Sequence, residues 1–248
     1  MSQAKRRTST AQSAEDQIRD YILAQGLGPG DPMPTELELC NKLGFSRSSV
    51  REAVRTLAAL DIVEVRHGTG TFVGHLSLMP MVQSLAFRSV VAPGEANQAL
   101  REIVEVRTAL DLGQAELVVQ QLVGTPQPDL EQLVVEMVAL SEQGKGFTEQ
   151  DRAFHSRLLA HTPNQLMSSL VEAFWDVHSI LLAKLAVPTP QDITATARAH
   201  GDMLHAAESG DVIAYRAAVR AHFAPLLRVL DRPVAQRTKG PADHAVKS

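Results

Sequence analysis

Four side chains in the second half of the chain have the types and spacing of a metal site. Asp151 and His155 stand four residues apart, which puts both on one face of a helix. His200 and His222 flank the turn sequence Ser209-Gly210-Asp211, ten residues before Gly210 and twelve after it. In an antiparallel pair of helices rising about 1.5 Å per residue, they lie roughly 15 and 18 Å from the turn and meet at one level. Three imidazoles and a carboxylate make a nitrogen/oxygen donor set for a divalent metal ion, zinc first, with nickel, manganese or iron as alternatives. Nine histidines in one chain make chance pairings easy, so spacing alone leaves open a set of unrelated surface or core histidines.

A second constellation lies near the other end. Ser46-Arg47-Ser48-Ser49 opens a helical pattern whose Val50, Ala53, Val54, Leu57 and Leu60 form one apolar stripe. Small hydroxyls in a first helical turn permit close approach, donate to phosphate and leave the positive helix end facing anionic oxygen. Arg47 is long and offers two parallel donors, which suits guanine O6 and N7 in a major groove. Arg51 follows one turn later, on the side nearer a nucleic-acid backbone. Taken alone, these residues are equally an N-cap beside a solvated arginine.

The flanking elements tip that balance. Residues 11–25 carry Ile18, Tyr21 and Ile22 at helical spacing, and Gly26-Leu27-Gly28-Pro29-Gly30 stops them. Thr35 caps a second short helix that ends near Leu43 and Gly44. After the third helix come two β-prone runs, 62–66 and 71–73, separated by His67-Gly68-Thr69-Gly70, which reads as a hairpin. His67 and Gly68 fall at its tip, where they would reach an adjacent minor groove. Helix, helix, helix, hairpin over 11–75 is the layout of a winged helix-turn-helix.

Beyond Gly74 the strand signals disappear. Helices are expected over 78–89, 97–122, 128–143, 148–161, 164–185, 190–209 and 211–231. The fold is therefore mainly α: a winged helix-turn-helix followed by an all-α bundle over 78–231 that binds an effector and dimerises. Residues 1–10 form a basic arm with Lys5-Arg6-Arg7, and 232–248 form a polar tail expected to be disordered.

Composition sets the outer bounds. With 44% hydrophobic residues in 248, the chain is ordinary globular protein rather than disordered. A net charge of −4 would argue against nucleic acid, but the charge is unevenly shared. Residues 1–76 balance nine Lys/Arg against nine Asp/Glu, while the remainder carries fifteen against nineteen. The presumed reading surface, 42–71, holds Lys42, Arg47, Arg51, Arg55 and Arg66 against Glu52, Asp61 and Glu64. No run approaches the roughly 18 uninterrupted apolar residues of a membrane helix. The basic, polar start lacks the apolar core of a secretory signal. Cys40 is the single cysteine, so an intrachain disulfide and a thiolate metal cluster are both excluded, and it reads as a small buried side chain on a helix. A cytoplasmic location fits.

The stretch from Ala14 to Val73 resembles the N-terminal domain of the GntR family of bacterial transcription regulators. The resemblance rests on Pro29-Gly30, Pro34-Thr35-Glu36, Ser46-Arg47, Val50-Arg51-Glu52-Ala53, Leu57, and Gly68 through Val73. It implies that Ser46, Arg47, Ser48, Ser49, Arg51, His67 and Gly68 occupy DNA-contacting positions. Two departures stand out: Leu37 replaces an arginine of the family pattern on the second helix, and Asp61 replaces a glycine before the first wing strand. The segments 101–116, 151–164 and 200–223 resemble the all-helical FCD effector domain of the FadR subfamily. That resemblance implies that Asp151, His155, His200 and His222 are metal ligands and that Arg107 faces an effector pocket. His161, His178 and His205 would be bystanders, with His178 the one placed to line the same cavity as an effector contact.

The resemblance further implies a homodimer on a near-palindromic double-stranded operator. Repression would be released by a small carboxylate metabolite. Three alternatives remain at this level. Arg107 stands near Glu102, Glu105 and Asp111 in sequence, so a surface salt-bridged cation is one. The four ligands would also serve a hydrolase-like metalloenzyme, although neither an HExxH-like element nor a nucleophile elbow is present. A metal-free anion sensor is the third.

Overall fold

The computed structural model describes residues 13–91, 96–185 and 192–231. The Lys5-Arg6-Arg7 arm and the 232–248 tail lie outside them. The chain divides into two compact units, Met1–Pro80 and Met81–Ser248.

In the first unit, α1 (Ala14–Ala24), α2 (Glu36–Leu43) and α3 (Arg47–Ala59) precede β1 (Val63–Arg66) and β2 (Gly70–Val73). The strands pair antiparallel, with Val63 opposite Val73 and Arg66 opposite Gly70. Each helix start has a side-chain cap, and at α2 the cap is reciprocal. Thr35 accepts from the Glu38 N–H, and the Glu38 carboxylate accepts from the Thr35 N–H at 2.9 Å. Ile18, Leu39, Val50, Ala53, Val54 and Leu57 pack together with Val63 and Val73, so the three helices and the hairpin share one core. Leu60 departs from the expected stripe: it is the C-cap of α3 and is 48% exposed, because the chain leaves helical geometry there. Cys40, expected to be buried, is only partly buried on α2, at the edge of this core.

Asp61 has φ 57°, the left-handed region that glycine enters without strain. Aspartate tolerates that conformation better than most residues, and here its carboxylate accepts from the Ser77 N–H at 2.9 Å. The replacement of a glycine by Asp61 is thus accommodated by a local hydrogen bond. Hydrogen bonding by the Ser77 side chain, with a smaller part from its N–H, lowers the carboxyl's pKa against the opposing effect of desolvation. A Cβ on Gly74 would stand 2.3 Å from the Asp61 carbonyl oxygen, so the chain leaving the wing needs glycine at that point.

The second unit is entirely helical among its described residues. After α4 (Met79–Val91), which begins at the boundary, come α5 (Ala96–Gly113), α6 (Ala115–Leu122) and α7 (Pro128–Glu142). They are followed by α8 (Thr148–Ala160), α9 (Gln165–Lys184), α10 (Ile193–Ser209) and α11 (Val212–Leu230). The expected single helix over 97–122 is two. Gly113 weakens the helix, and the Gln114 N–H is shared between the Leu110 and Asp111 carbonyls at 3.2 and 3.3 Å. The break lets α5 pack on α9 and α11 while α6 packs on α10 and α11. By length and composition α9 is apolar enough to cross a membrane. It carries Asp176 and His178, however, and packs against α5 and α8.

The hairpin of α10 and α11 fixes the level of His200 against His222. Gly210 closes α10 at φ 81°, Asp211 caps α11 by accepting from the Ala214 N–H at 2.8 Å, and the Glu208 carbonyl accepts from Gly124 N–H at 2.8 Å. A Cβ on Gly210 would meet Val123 Cγ2 at 3.0 Å. Gly210→Ala is therefore expected to cost about 1–2 kcal/mol of stability, from the left-handed backbone alone, with crowding adding to it. Urea denaturation of the full chain checks this, and an unchanged midpoint would mean that the turn relaxes freely.

Candidate nucleic-acid interface and metal centre

In the first unit, Gly44 ends α2 in a left-handed conformation, and two residues later Ser46 caps α3. The Ser46 hydroxyl takes the Ser49 N–H at 3.2 Å and lies 2.8 and 2.9 Å from the Ser48 and Ser49 hydroxyls. All three serines are exposed, as is Arg47. Arg47 makes no hydrogen bond or ion pair with the described residues, which leaves both edges of its guanidinium available. Arg51 instead pairs with Glu36 of α2 at 3.4 Å, so a phosphate contact there requires exchange of that partner. His67 and Gly68 sit exposed at the wing turn, with Gly68 at φ 76°. Arg66 is held back along the wing by Glu64 at 2.8 Å and by the Phe72 ring. Leu37 leaves an apolar side chain 51% exposed on the first turn of α2, with no cation in its place.

In the second unit, α8 supplies Asp151 and His155, α10 supplies His200 and α11 supplies His222. One ligand atom from each lies within 4.8 Å of all the others. Asp151 Oδ1 is the hub, 2.8 Å from His200 Nε2, 3.6 Å from His155 Nε2 and 4.0 Å from His222 Nε2. The three imidazoles are buried, and His200 is 0% exposed. Burial pushes the Asp151 carboxyl up, but the His200 hydrogen bond and the surrounding imidazoles outweigh it and hold the group well below the usual carboxylate range. Burial drives His155 down to about 3 and His222 well below its ordinary value. An ionised carboxylate and neutral imidazoles are the protonation states that metal binding requires.

Two further observations fit a metal ion to these residues. The His200 Nδ1–H donates to the Thr196 carbonyl at 2.9 Å, so in a neutral ring the Nε2 that faces the Asp151 carboxylate oxygen at 2.8 Å is an acceptor. Those two acceptors need a proton or a cation between them. His155 Nε2, turned toward the same oxygen, is buried with no hydrogen-bond partner, and so is His222 Nδ1. The remaining Asp151 oxygen is already occupied: it accepts from the Trp175 indole N–H at 2.8 Å. A divalent ion held here would act as a Lewis acid that draws an anionic ligand toward it.

Arg107 is 1% exposed, so it is no surface cation; Glu105 pairs with Arg101 instead. Its Nη1 donates to His178 Nδ1, and its guanidinium lies over the Phe223 ring at 5.2 Å. Nε and Nη2 are buried without partners. Burial lowers the arginine pKa, while Asp151 and Asp111 support the charge. Burial and the neighbouring Arg107 charge hold His178 down at about 3. Both residues line a cavity of about 170 Å³ that also reaches Asp151 and His222. His161 and His205 are exposed and stand apart from the cluster.

Sequence reasoning missed two residues of this centre. Trp175 lies twenty-four positions from the carboxylate it binds, and no local spacing signals that pairing. Asp111 stands one helical turn after Arg107, buried, with Oδ2 3.9 Å from His155 Nδ1. Burial pushes its carboxyl up to about 7, opposed by Arg107. The i, i+4 spacing of Arg107 and Asp111 was a usable signal, but it is also that of a surface ion pair.

The profile of bacterial regulatory proteins of the gntR family matches residues 10–73, and that of the FCD domain matches residues 102–225. The chain belongs to the GntR family. NedR of Micromonospora viridifaciens is 41% identical over 106 residues, covering 43% of this chain and 76% of its own. The galactonate operon transcriptional repressor of Escherichia coli is 25% identical over 142 residues, 57% of this chain and 62% of that one. Among solved structures, a Streptococcus agalactiae GntR protein aligns with TM-score 0.64 and 27% identity over 87% of this chain and 97% of its own. As a GntR-family member with an FCD domain, the chain is a DNA-binding transcriptional regulator, and the metalloenzyme alternative is set aside.

Trp175→Phe keeps the ring and removes the N–H that orients Asp151. It is expected to lower Zn²⁺ affinity about 10–100-fold, the usual effect of losing a hydrogen bond behind a metal ligand. Competition against a chromophoric chelator measures it, and wild-type affinity would show that the indole does not hold the carboxylate.

Proposed function

We propose that the protein is a homodimeric transcriptional repressor that releases its operator when a small carboxylate binds beside a metal in the helical domain. The observation that carries this reading is the juxtaposition of two features around one cavity. Asp151, His155, His200 and His222 would hold the divalent metal, zinc before nickel, manganese or iron. The unpartnered Nε and Nη2 of buried Arg107, with His178 beside it, would receive the carboxylate. A guanidinium with two adjacent free donors binds a carboxylate bidentately, and such a charge-assisted pair is stronger than a neutral one.

On the DNA side, Arg47 would read a base while Ser46, Ser48, Ser49 and Arg51 hold the backbone and His67 with Gly68 enters the minor groove. Two such units related by a two-fold would face two half-sites of a near-palindromic operator, in the cytoplasm. Repression is the sign carried by the galactonate operon relative. Effector and operator would be linked reciprocally: whatever factor the carboxylate takes from DNA affinity, DNA takes from carboxylate affinity.

Arg47→Ala is expected to cost about 1–3 kcal/mol of operator binding and to relax selectivity at one base position. Fluorescence anisotropy with the promoter DNA of the protein's own gene and single-base variants tests it. A uniform loss across all sequences would make Arg47 a phosphate contact instead. No loss at all would overturn the assignment of α3 as the reading helix.

A further inference from the structure

The three imidazoles of the metal-ligand cluster all turn the same nitrogen inward. Nε2 of His155, His200 and His222 lies 3.6, 2.8 and 4.0 Å from Asp151 Oδ1. A neutral ring that offers Nε2 to a cation carries its proton on Nδ1, and that N–H calls for an acceptor of its own. The rings differ in what stands behind them. Behind His200 is the Thr196 carbonyl at 2.9 Å. His222 Nδ1 is buried with no hydrogen-bond partner. His155 Nδ1 faces a carboxylate, Asp111 Oδ2, 3.9 Å away on α5. Asp111 is 5% exposed, and that same oxygen is buried without a hydrogen-bond partner. A buried acceptor left without a donor is costly. Arg107, one turn earlier on α5, is the countercharge that favours its ionised form.

We propose that Asp111 is a positioning residue for the metal centre: its Oδ2 accepts the His155 Nδ1–H, directly or through one water, and fixes that ring with Nε2 toward the metal. This inference rests on the metal-centre reading above and adds a residue that is not one of the four ligands. At 3.9 Å the two atoms stand at ion-pair distance, about 1 Å beyond a direct N–H···O bond. A small rotation of either side chain closes a gap of that size, and a bent water bridge spans it without one. An anionic acceptor does more here than a neutral carbonyl. It favours the Nδ1–H tautomer, restrains the ring and makes Nε2 the stronger donor to a cation. The arrangement also supports both ligands of α8 from outside that helix. Trp175 of α9 holds Asp151, and Asp111 of α5 holds His155, whereas His200 is held by its own helix through Thr196.

The test uses the zinc-loaded full chain with nitrogen-15-labelled histidine side chains, as wild type and as Asp111→Asn. The substitution keeps the size and a carbonyl acceptor and removes the charge. In the wild type one ligand imidazole is expected to show an Nδ1–H proton downfield of the other two and slow to exchange with water. In Asp111→Asn that resonance should move upfield while the other two hold their places. Zinc affinity, read by competition with a chromophoric chelator, is expected to fall about 10–100-fold. Lower affinity with an unmoved resonance would make Asp111 a mere counter-ion of Arg107 and overturn the proposal. Affinity and resonance both unchanged would overturn it as well. If Asp111→Asn fails to fold, the wild-type spectrum decides: ligand imidazoles without a downfield, protected Nδ1–H contradict an Asp111 contact. A wild-type chain that binds no zinc would overturn the metal-centre reading and this inference together.

Discussion

An ionised carboxylate held mostly inside a helical bundle is the constraint around which the second unit is organised. Asp151 is largely withdrawn from water, with 15% of its side chain exposed, and an isolated charge in such a place is costly. The structure offsets that cost with an indole N–H on one oxygen and three imidazoles around the other. Each partner comes from a different place in the chain: His155 from the same helix, Trp175 from α9, His200 from α10 and His222 from α11. Satisfying one carboxylate therefore ties four helices together. It also creates a convergence of lone pairs that neutral histidines cannot satisfy among themselves, and this is the physical case for a cation at the centre.

The surroundings extend the same logic. Arg107 and Asp111, one turn apart on α5, bring a second opposed pair into the interior beside the first. Arg107 spends one nitrogen on His178 and keeps two unpaired, a state that burial penalises unless a ligand completes it. Asp151, His222 and Arg107 line one cavity, so a ligand that joined them would couple α5, α8 and α11 through direct contacts. Regulation of a second domain would require such a ligand to bind one arrangement of those helices more tightly than another.

Much of the framework was legible from local chemistry. The caps at Thr35 and Ser46, the glycines at 44 and 210, and the β-branched runs of the wing all act within a few residues, and the elements follow them. The meeting of His200 with His222 was legible because a tight turn and a fixed helical rise convert sequence distance into height. Sequence could not show Trp175 on Asp151, since α8 and α9 are brought together by packing rather than by any spacing rule. Nor did periodicity show the interruption at Gln114, because the apolar pattern runs on through it. Arg107 is the instructive intermediate: its neighbours in sequence are those of a surface ion pair, and only burial distinguishes the two. Leu60 shows the reverse, an apolar residue in register with the stripe that lies where the helix has already ended.

The most direct test of the central claim is native mass spectrometry of the full chain as purified, with neither metal nor chelator added, followed by zinc add-back. The account predicts a dimer with one divalent metal per chain, lost in His222→Ala while the dimer remains. A wild-type dimer that stays metal-free after add-back would contradict the metal centre, and a monomer would contradict the two-fold operator complex built on it.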